Sequence, residues 1–231
     1  MTLPLRAVVE VILYGVVTGC QSTNLPGEYP NPKSVFYHVR KGCRDGTWQR
    51  INRARVWLER RRVRRWARPS GGVVDSQSAK TVTNGEQRGY DGHKQVKGRK
   101  RHLMTDTLGN LLEVVVLAAN RPDSAGVYAL LTKVGRTVSL RLRKLWAHKG
   151  YQGEDVRTWL QDEFQIDLEI VTAEPDQVGF VVQPRRPVVE RSFAGLGQYR
   201  RLSKDYERCP LSSEGMIYLA SIRTLLKRLP D

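Results

Sequence analysis

The chain predicts a mixed α/β fold, a sheet with helices on its faces, preceded by a small all-helical unit. Helical spacing of apolar residues runs through the first part of the chain, and Pro69-Ser70-Gly71-Gly72 then breaks it. Beyond the break, short apolar runs come first as a hairpin and then alternate with helical stretches, the pattern of a mixed sheet. The expected division is a helical domain over residues 1–68, ending in a basic linker helix, and an α/β domain over 69–231.

Leu5 to Thr18 reads as the first helix. Its end, Val17-Thr18-Gly19-Cys20, is similar to an export signal with a lipid-attachment cysteine, but Glu10 interrupts the apolar region, only Arg6 leads it, and the run is too short to span a bilayer. A buried amphipathic helix is expected instead, and no membrane partner. Three prolines mark a loop from Gly19 to Pro32. Ser34 to Lys41 gives a second helix and Trp48 to Trp66 a third, with Trp48, Ile51 and Leu58 on one side. Three short helices in this order are similar to a helix-turn-helix unit.

In the second part, Val73 to Ser76 forms a first strand and a polar loop follows. Arg101 to Thr105 and Leu111 to Ala119 make a hairpin around a turn at Asp106-Thr107-Leu108-Gly109-Asn110, where Asp106 serves the turn. A helix over Ser124 to Val134, a strand ending at His148, a helix from Glu154 to Phe164 and a strand from Asp167 to Thr172 follow. Val189, Phe193 and Leu196, at i, i+4 and i+7, then mark a helix that carries Glu190 at the edge of its buried stripe.

With 231 residues the chain can bury a substantial core. Lys and Arg total 39 against 23 acids, a net charge of +16 with a pI near 10.2, which calls for a polyanionic partner. Cys20, Cys43 and Cys209 lie far apart without a CxxC pair, which suggests neither a disulfide framework nor a zinc site and fits a reducing cytoplasm.

Two basic stretches are candidates for phosphate contact. Arg60, Arg61, Arg62, Arg64, Arg65 and Arg68 surround Trp66, with no acid after Glu59 to offset them. Lys94, Lys97, Arg99, Lys100 and Arg101 lie among Gly89, Gly92 and Gly98, in a stretch expected to be a loop tracking a DNA backbone. Asp75 and Glu190 are the candidate metal ligands. Asp75 is expected at the C-terminal end of its short strand, and His148 ends a second strand nearby. Phosphodiester chemistry with two metals needs carboxylates that clamp cations about 3.5 to 4 Å apart. Magnesium prefers oxygen ligands, so an imidazole at His148 is a poor member of such a set.

These residues fall in longer motifs. Val74-Asp75-Ser76-Gln77-Ser78-Ala79-Lys80, Arg88-Gly89-Tyr90-Asp91-Gly92-His93-Lys94, Trp146-Ala147-His148-Lys149-Gly150-Tyr151 and Pro187-Val188-Val189-Glu190-Arg191-Ser192-Phe193 occur in that order, with Tyr199-Arg200-Arg201-Leu202-Ser203-Lys204-Asp205-Tyr206-Glu207 after them. The chain resembles bacterial insertion-sequence transposases of the DDE class, in the group named after insertion sequence five. The resemblance covers nearly the whole chain.

It implies an RNase H-like core in which two Asp and one Glu hold Mg²⁺, with Mn²⁺ as the alternative. Asp75 takes the place of the first Asp and Glu190 that of the Glu; His148 stands where the second Asp belongs. Arg186 matches a basic residue that contacts terminal phosphates of the element. The implied activity is cleavage and rejoining of double-stranded DNA at the element's inverted repeats by a cytoplasmic, nucleoid-associated homodimer, impaired here by His148. The rival expectations are a catalytically silent DNA-binding remnant and a structure-selective nuclease. Ser22 after Cys20-Gln21, where the family carries Trp, fits a diverged or truncated copy.

Overall fold

A computed structural model describes residues 4–82, 85–139, 141–171 and 186–229, with the backbone alone for 136–139, 186, 187 and 189. The helical first part comprises α1 (Leu5–Thr18), α2 (Pro32–Arg44) and α3 (Thr47–Arg62). Val8, Val11, Ile12 and Val16 bury one stripe of α1, as its spacing requires, and Gly19 closes the helix in the left-handed region at φ 68°. Asn31 caps α2 through its side chain, with Pro32 as the first helical residue.

Helix α3 departs from expectation. Trp48 is buried, but Ile51 and Leu58 are exposed; Asn52, Val56, Glu59 and Arg60 line the inner face with Trp48. Polar partners account for this choice of face. Asn52 Nδ2 donates to the Leu111 carbonyl at 2.8 Å, and Arg60 reaches a buried carboxylate.

The strands are β1 (Gly71–Lys80), β2 (Gly89–Asp91), β3 (Val96–Asp106), β4 (Leu111–Ala118), β5 (Lys144–Ala147) and β6 (Asp167–Ile170). One edge of β3 pairs antiparallel with β1, and the other pairs with β4 and, further along, β2. Parallel pairing continues from β1 to β5 and from β5 to β6. The result is a curled mixed sheet flanked by helices, consistent with the RNase H-like fold.

Alternation along the strands splits the core in two. Val73, Leu103, Val114 and Val116 face the layer formed by the first three helices, α6 (Arg186–Gly197) and α7 (Pro210–Leu226). Val74, Met104 and Val115 face α4 (Asp123–Ser139) and α5 (Glu154–Phe164). Helix α7, which sequence reasoning passed over, is buried continuously from Ser213 to Ile222 and packs against α1, α2, α3 and β4. Its signal was present in Pro210 at the first helical position and the apolar run after Gly215.

The stretch expected to be a basic loop is mostly strand β3, a central strand covered on both faces. Arg99, Lys100 and Arg101 are buried. Arg99 lies 3.2 Å from Asp205 and donates to the carbonyls of Glu86, Glu207 and Arg208. Arg101 donates to the Leu202 and Lys204 carbonyls at 2.8 and 3.0 Å. These side chains hold the chain around residues 202–208 against the sheet and do not face solvent.

Candidate active site

Asp75 lies within a ten-residue strand, not at its end, because the polar run Ser76 to Lys80 continues the pairing with β3. The expected neighbour is nevertheless beside it. Val74 pairs with Ala147 in parallel register, so Asp75 and His148 are the next residues along two adjacent strands. His148 Nε2 lies 3.2 Å from Asp75 Oδ1, and both side chains are partly exposed, at 27% and 18%. A cleft at this point is lined by Asp75, Ala147, His148 and Val171.

A third group completes the cluster. Asp123, at the start of α4, places Oδ2 3.5 Å from the same His148 nitrogen. Its Oδ1 accepts from Ser76 Oγ at 3.0 Å and lies 3.0 Å from Lys100 Nζ. Burial alone would push the Asp123 carboxyl up, but Lys100 and Ser76 outweigh it and hold the group below the ordinary carboxylate range. Nothing local in the sequence marked Asp123, since only the fold returns the start of α4 to β1.

The His148 ring is oriented by the turn that follows it. Nδ1 accepts the Gly150 backbone N–H at 2.9 Å, which places the ring proton on Nε2, toward the two carboxylates. Tyr151 is fully buried below, edge-on to both His148 and His102, and its hydroxyl lies 3.0 Å from His102 Nδ1. Burial pushes the Tyr151 hydroxyl well up and the His102 imidazole down to about 4. Both stay neutral near pH 7.

Glu190 is exposed on α6, a helix that packs against β1 and β3 on the face to which Val73 and Asp75 both point. Arg186 opens the same helix, and its side chain lies outside the described residues. Asp106 sits elsewhere. It pairs across the sheet with Gly72 and is completely buried, its oxygens accepting from Leu108 N, Asn110 N, Asn110 Nδ2 and Arg60.

The expected phosphate contacts divide in the same way. Arg61, Arg62, Arg64 and Arg65 are exposed, with Arg62 bonded to Glu59, and Lys94 and Lys97 are exposed beside β2 and β3. Arg60 is a correction: it is buried, 2.5 Å from Asp106 and donating to the Trp66 carbonyl. Arg99, Lys100 and Arg101 are corrections for the burial described above.

The groups brought together do not form a set that fits a magnesium pair. Mg²⁺ needs oxygen ligands with open lone pairs, whereas His148 presents an N–H and its other nitrogen is engaged by Gly150. Among the described residues, no group of three or more His, Cys, Asp and Glu side chains could hold a metal ion. Nor is any helix among them long and apolar enough to cross a membrane.

Comparison with known proteins agrees with the fold class. The family described as "Transposase DDE domain" matches residues 66–225, and one described as "Putative transposase of IS4/5 family" matches residues 2–52. A Burkholderia cepacia protein described as "Putative transposase for insertion sequence element IS402" is 29% identical over 181 residues, covering 74% of each chain. Members of the DDE family are phosphodiester-cleaving enzymes that generally use divalent metal ions. With the family matched across most of the chain and a mixed sheet flanked by helices consistent with its fold, the chain belongs to the DDE transposases, as an insertion-sequence transposase of the IS4/5 type.

Proposed function

We propose that the chain recognises the inverted ends of its element in double-stranded DNA, acts there as a homodimer in the cytoplasm, and performs strand cleavage and transfer only weakly. Asp75 and Glu190 are assigned to the reaction centre. His148, in the second acidic place, is the defect.

The observation that carries this reading is the juxtaposition of His148, just past the end of β5, with Asp75 on the adjacent strand β1, His148 Nε2 lying 3.2 Å from the carboxylate. An imidazole there removes both a negative charge and a ligand oxygen from the position where this chemistry needs them. Residues 1–68 are assigned to end recognition and 69–231 to chemistry. The exposed Arg61, Arg62, Arg64 and Arg65 supply sequence-independent phosphate contacts.

The test is the class of product formed on DNA that carries the element's ends, using the native protein and His148→Asp with Mg²⁺ or Mn²⁺. Joined strand-transfer products, abundant with the variant and scarce with the native chain, support the assignment. Cleavage without joining identifies a nuclease. Tight binding of the ends with no cleavage by either protein identifies a silent DNA-binding remnant.

A further inference from the structure

Three side chains from three elements meet at the cluster: Asp75 from β1, His148 from the end of β5 and Asp123 from the start of α4. We propose that Asp123 is the second carboxylate of this site and that His148, seated between the two acids, occupies the place of a cation. The inference rests on the assignment of Asp75 to the reaction centre.

Strand alternation separates the two acids. Asp75 points to the face covered by α6, whereas Ser76 points to the α4 face, where its hydroxyl holds Asp123. His148 follows the last residue of β5, so its ring reaches around the strand end and faces both. Its single N–H lies 3.2 Å from one carboxylate and 3.5 Å from the other, and Gly150 fixes it there by holding Nδ1.

Gly150 also provides the space. A Cβ at that position would lie 2.5 Å from both Asp123 Oδ2 and His148 Cε1, so a side chain there would displace the clasp. On the other side of Asp123, Lys100 is drawn into the core at 3.0 Å and also lies 3.8 Å from Asp91.

The charges explain why a clasp is needed. Two carboxylates that share one nitrogen as a neighbour repel each other, and Lys100 offsets only part of that repulsion. His148 Nε2, 3.2 and 3.5 Å from the two carboxylates, offsets a further part without a metal. An Asp in its place would leave three carboxylates beside one ammonium, an arrangement that a divalent cation with oxygen ligands relieves. His148→Asp should therefore convert a metal-indifferent cluster into a metal-dependent one, with Asp123 as a ligand.

The experiment is thermal unfolding of the full chain in chelator, Mg²⁺ and Mn²⁺, with Mn²⁺ binding followed by electron paramagnetic resonance. The native protein should show no Asp75-dependent Mn²⁺ binding and no shift of Tm. His148→Asp should melt lower than the native chain in chelator and regain on the order of a few degrees with Mn²⁺. Adding Asp123→Asn to that variant should remove most of the regain.

Mn²⁺ binding by the native chain that Asp75→Asn abolishes would overturn the claim that His148 fills the cation's place. A full regain in the double variant would overturn the role of Asp123. Should His148→Asp fail to fold, the native-chain binding arm still decides the first point. Asp123→Asn in the native background, expected to lower Tm, decides the second. These readouts involve no DNA, so their failure is distinct from a failure of the transposase assignment, which the strand-transfer products test.

Discussion

Two carboxylate clusters on the β1–β3 pair differ in the feature that separates scaffold from site. At Asp106 the carboxylate is enclosed and saturated by two backbone N–H groups, one amide and the Arg60 guanidinium. At Asp75 the side chain is partly exposed, and the neighbouring groups, His148 and Asp123, are also partly open to solvent. A buried charge with every lone pair engaged fixes the fold. A carboxylate at the rim of a cleft, crowded by another acid, keeps affinity for what enters. In both clusters a basic residue that the sequence offers to DNA, Arg60 in one and Lys100 in the other, is instead paired with an acid.

The largest expected effects test this contrast through stability. Arg60→Ala strands a fully buried carboxylate, and removal of one partner from such a pair costs about 3–5 kcal/mol. For a chain of this size that lowers Tm by roughly ten degrees or more. Asp75→Asn, at the open cluster, should change stability by no more than about 1 kcal/mol. Calorimetry of the two variants decides, and equal losses would erase the distinction.

How far the sequence foretold these clusters depended on whether the signal was local. Helix α1 was legible because Val8, Val11, Ile12 and Val16 repeat at helical spacing. The hairpin turn was legible in Asp106 and Gly109, the latter at φ 82°. Asp75 and His148 were recognisable from their motifs, and the strand register brings them together. Strand β3 was obscured because its arginines are buried through ion pairs and carbonyl contacts from residues 86 and 202–208, far away in sequence. Asp123 was hidden for the same reason. Its role arises from Ser76, Lys100 and His148, which lie on other elements.

Next in size is an acid effect beside the open cluster. His102 is buried with its pKa lowered to about 4, whereas an unfolded histidine titrates near 6.5. Between those values the unfolded chain binds a proton that the folded chain does not, so stability is intact above about pH 6.5 and falls as pH drops toward 4. The full effect is about 3 kcal/mol. Chemical denaturation across that window should show the loss in the native chain and a smaller one in His102→Gln; parallel curves would remove His102 as the cause.

The smallest expected effect separates exposed from buried arginines. Replacing Arg61, Arg62, Arg64 and Arg65 with Ala should flatten the dependence of log affinity on log salt by about 0.9 for each phosphate that is no longer neutralised. Arg101→Met should leave that slope unchanged, because its guanidinium serves the Leu202 and Lys204 carbonyls. A flatter slope in Arg101→Met alone would place the buried strand in the interface.

The central claim, that His148 limits a DDE site built around Asp75, is tested most directly by the rate of strand cleavage on DNA carrying the element's ends, measured for the native chain and His148→Asp in Mg²⁺ and in Mn²⁺. The account predicts that His148→Asp is faster in Mg²⁺ by on the order of a thousandfold, the scale of one missing electrostatic interaction in the transition state, with the native chain slow in Mn²⁺ as well, because the engaged Nδ1 and the Nε2 proton leave no nitrogen lone pair for either ion. Equal rates in Mg²⁺ would contradict it.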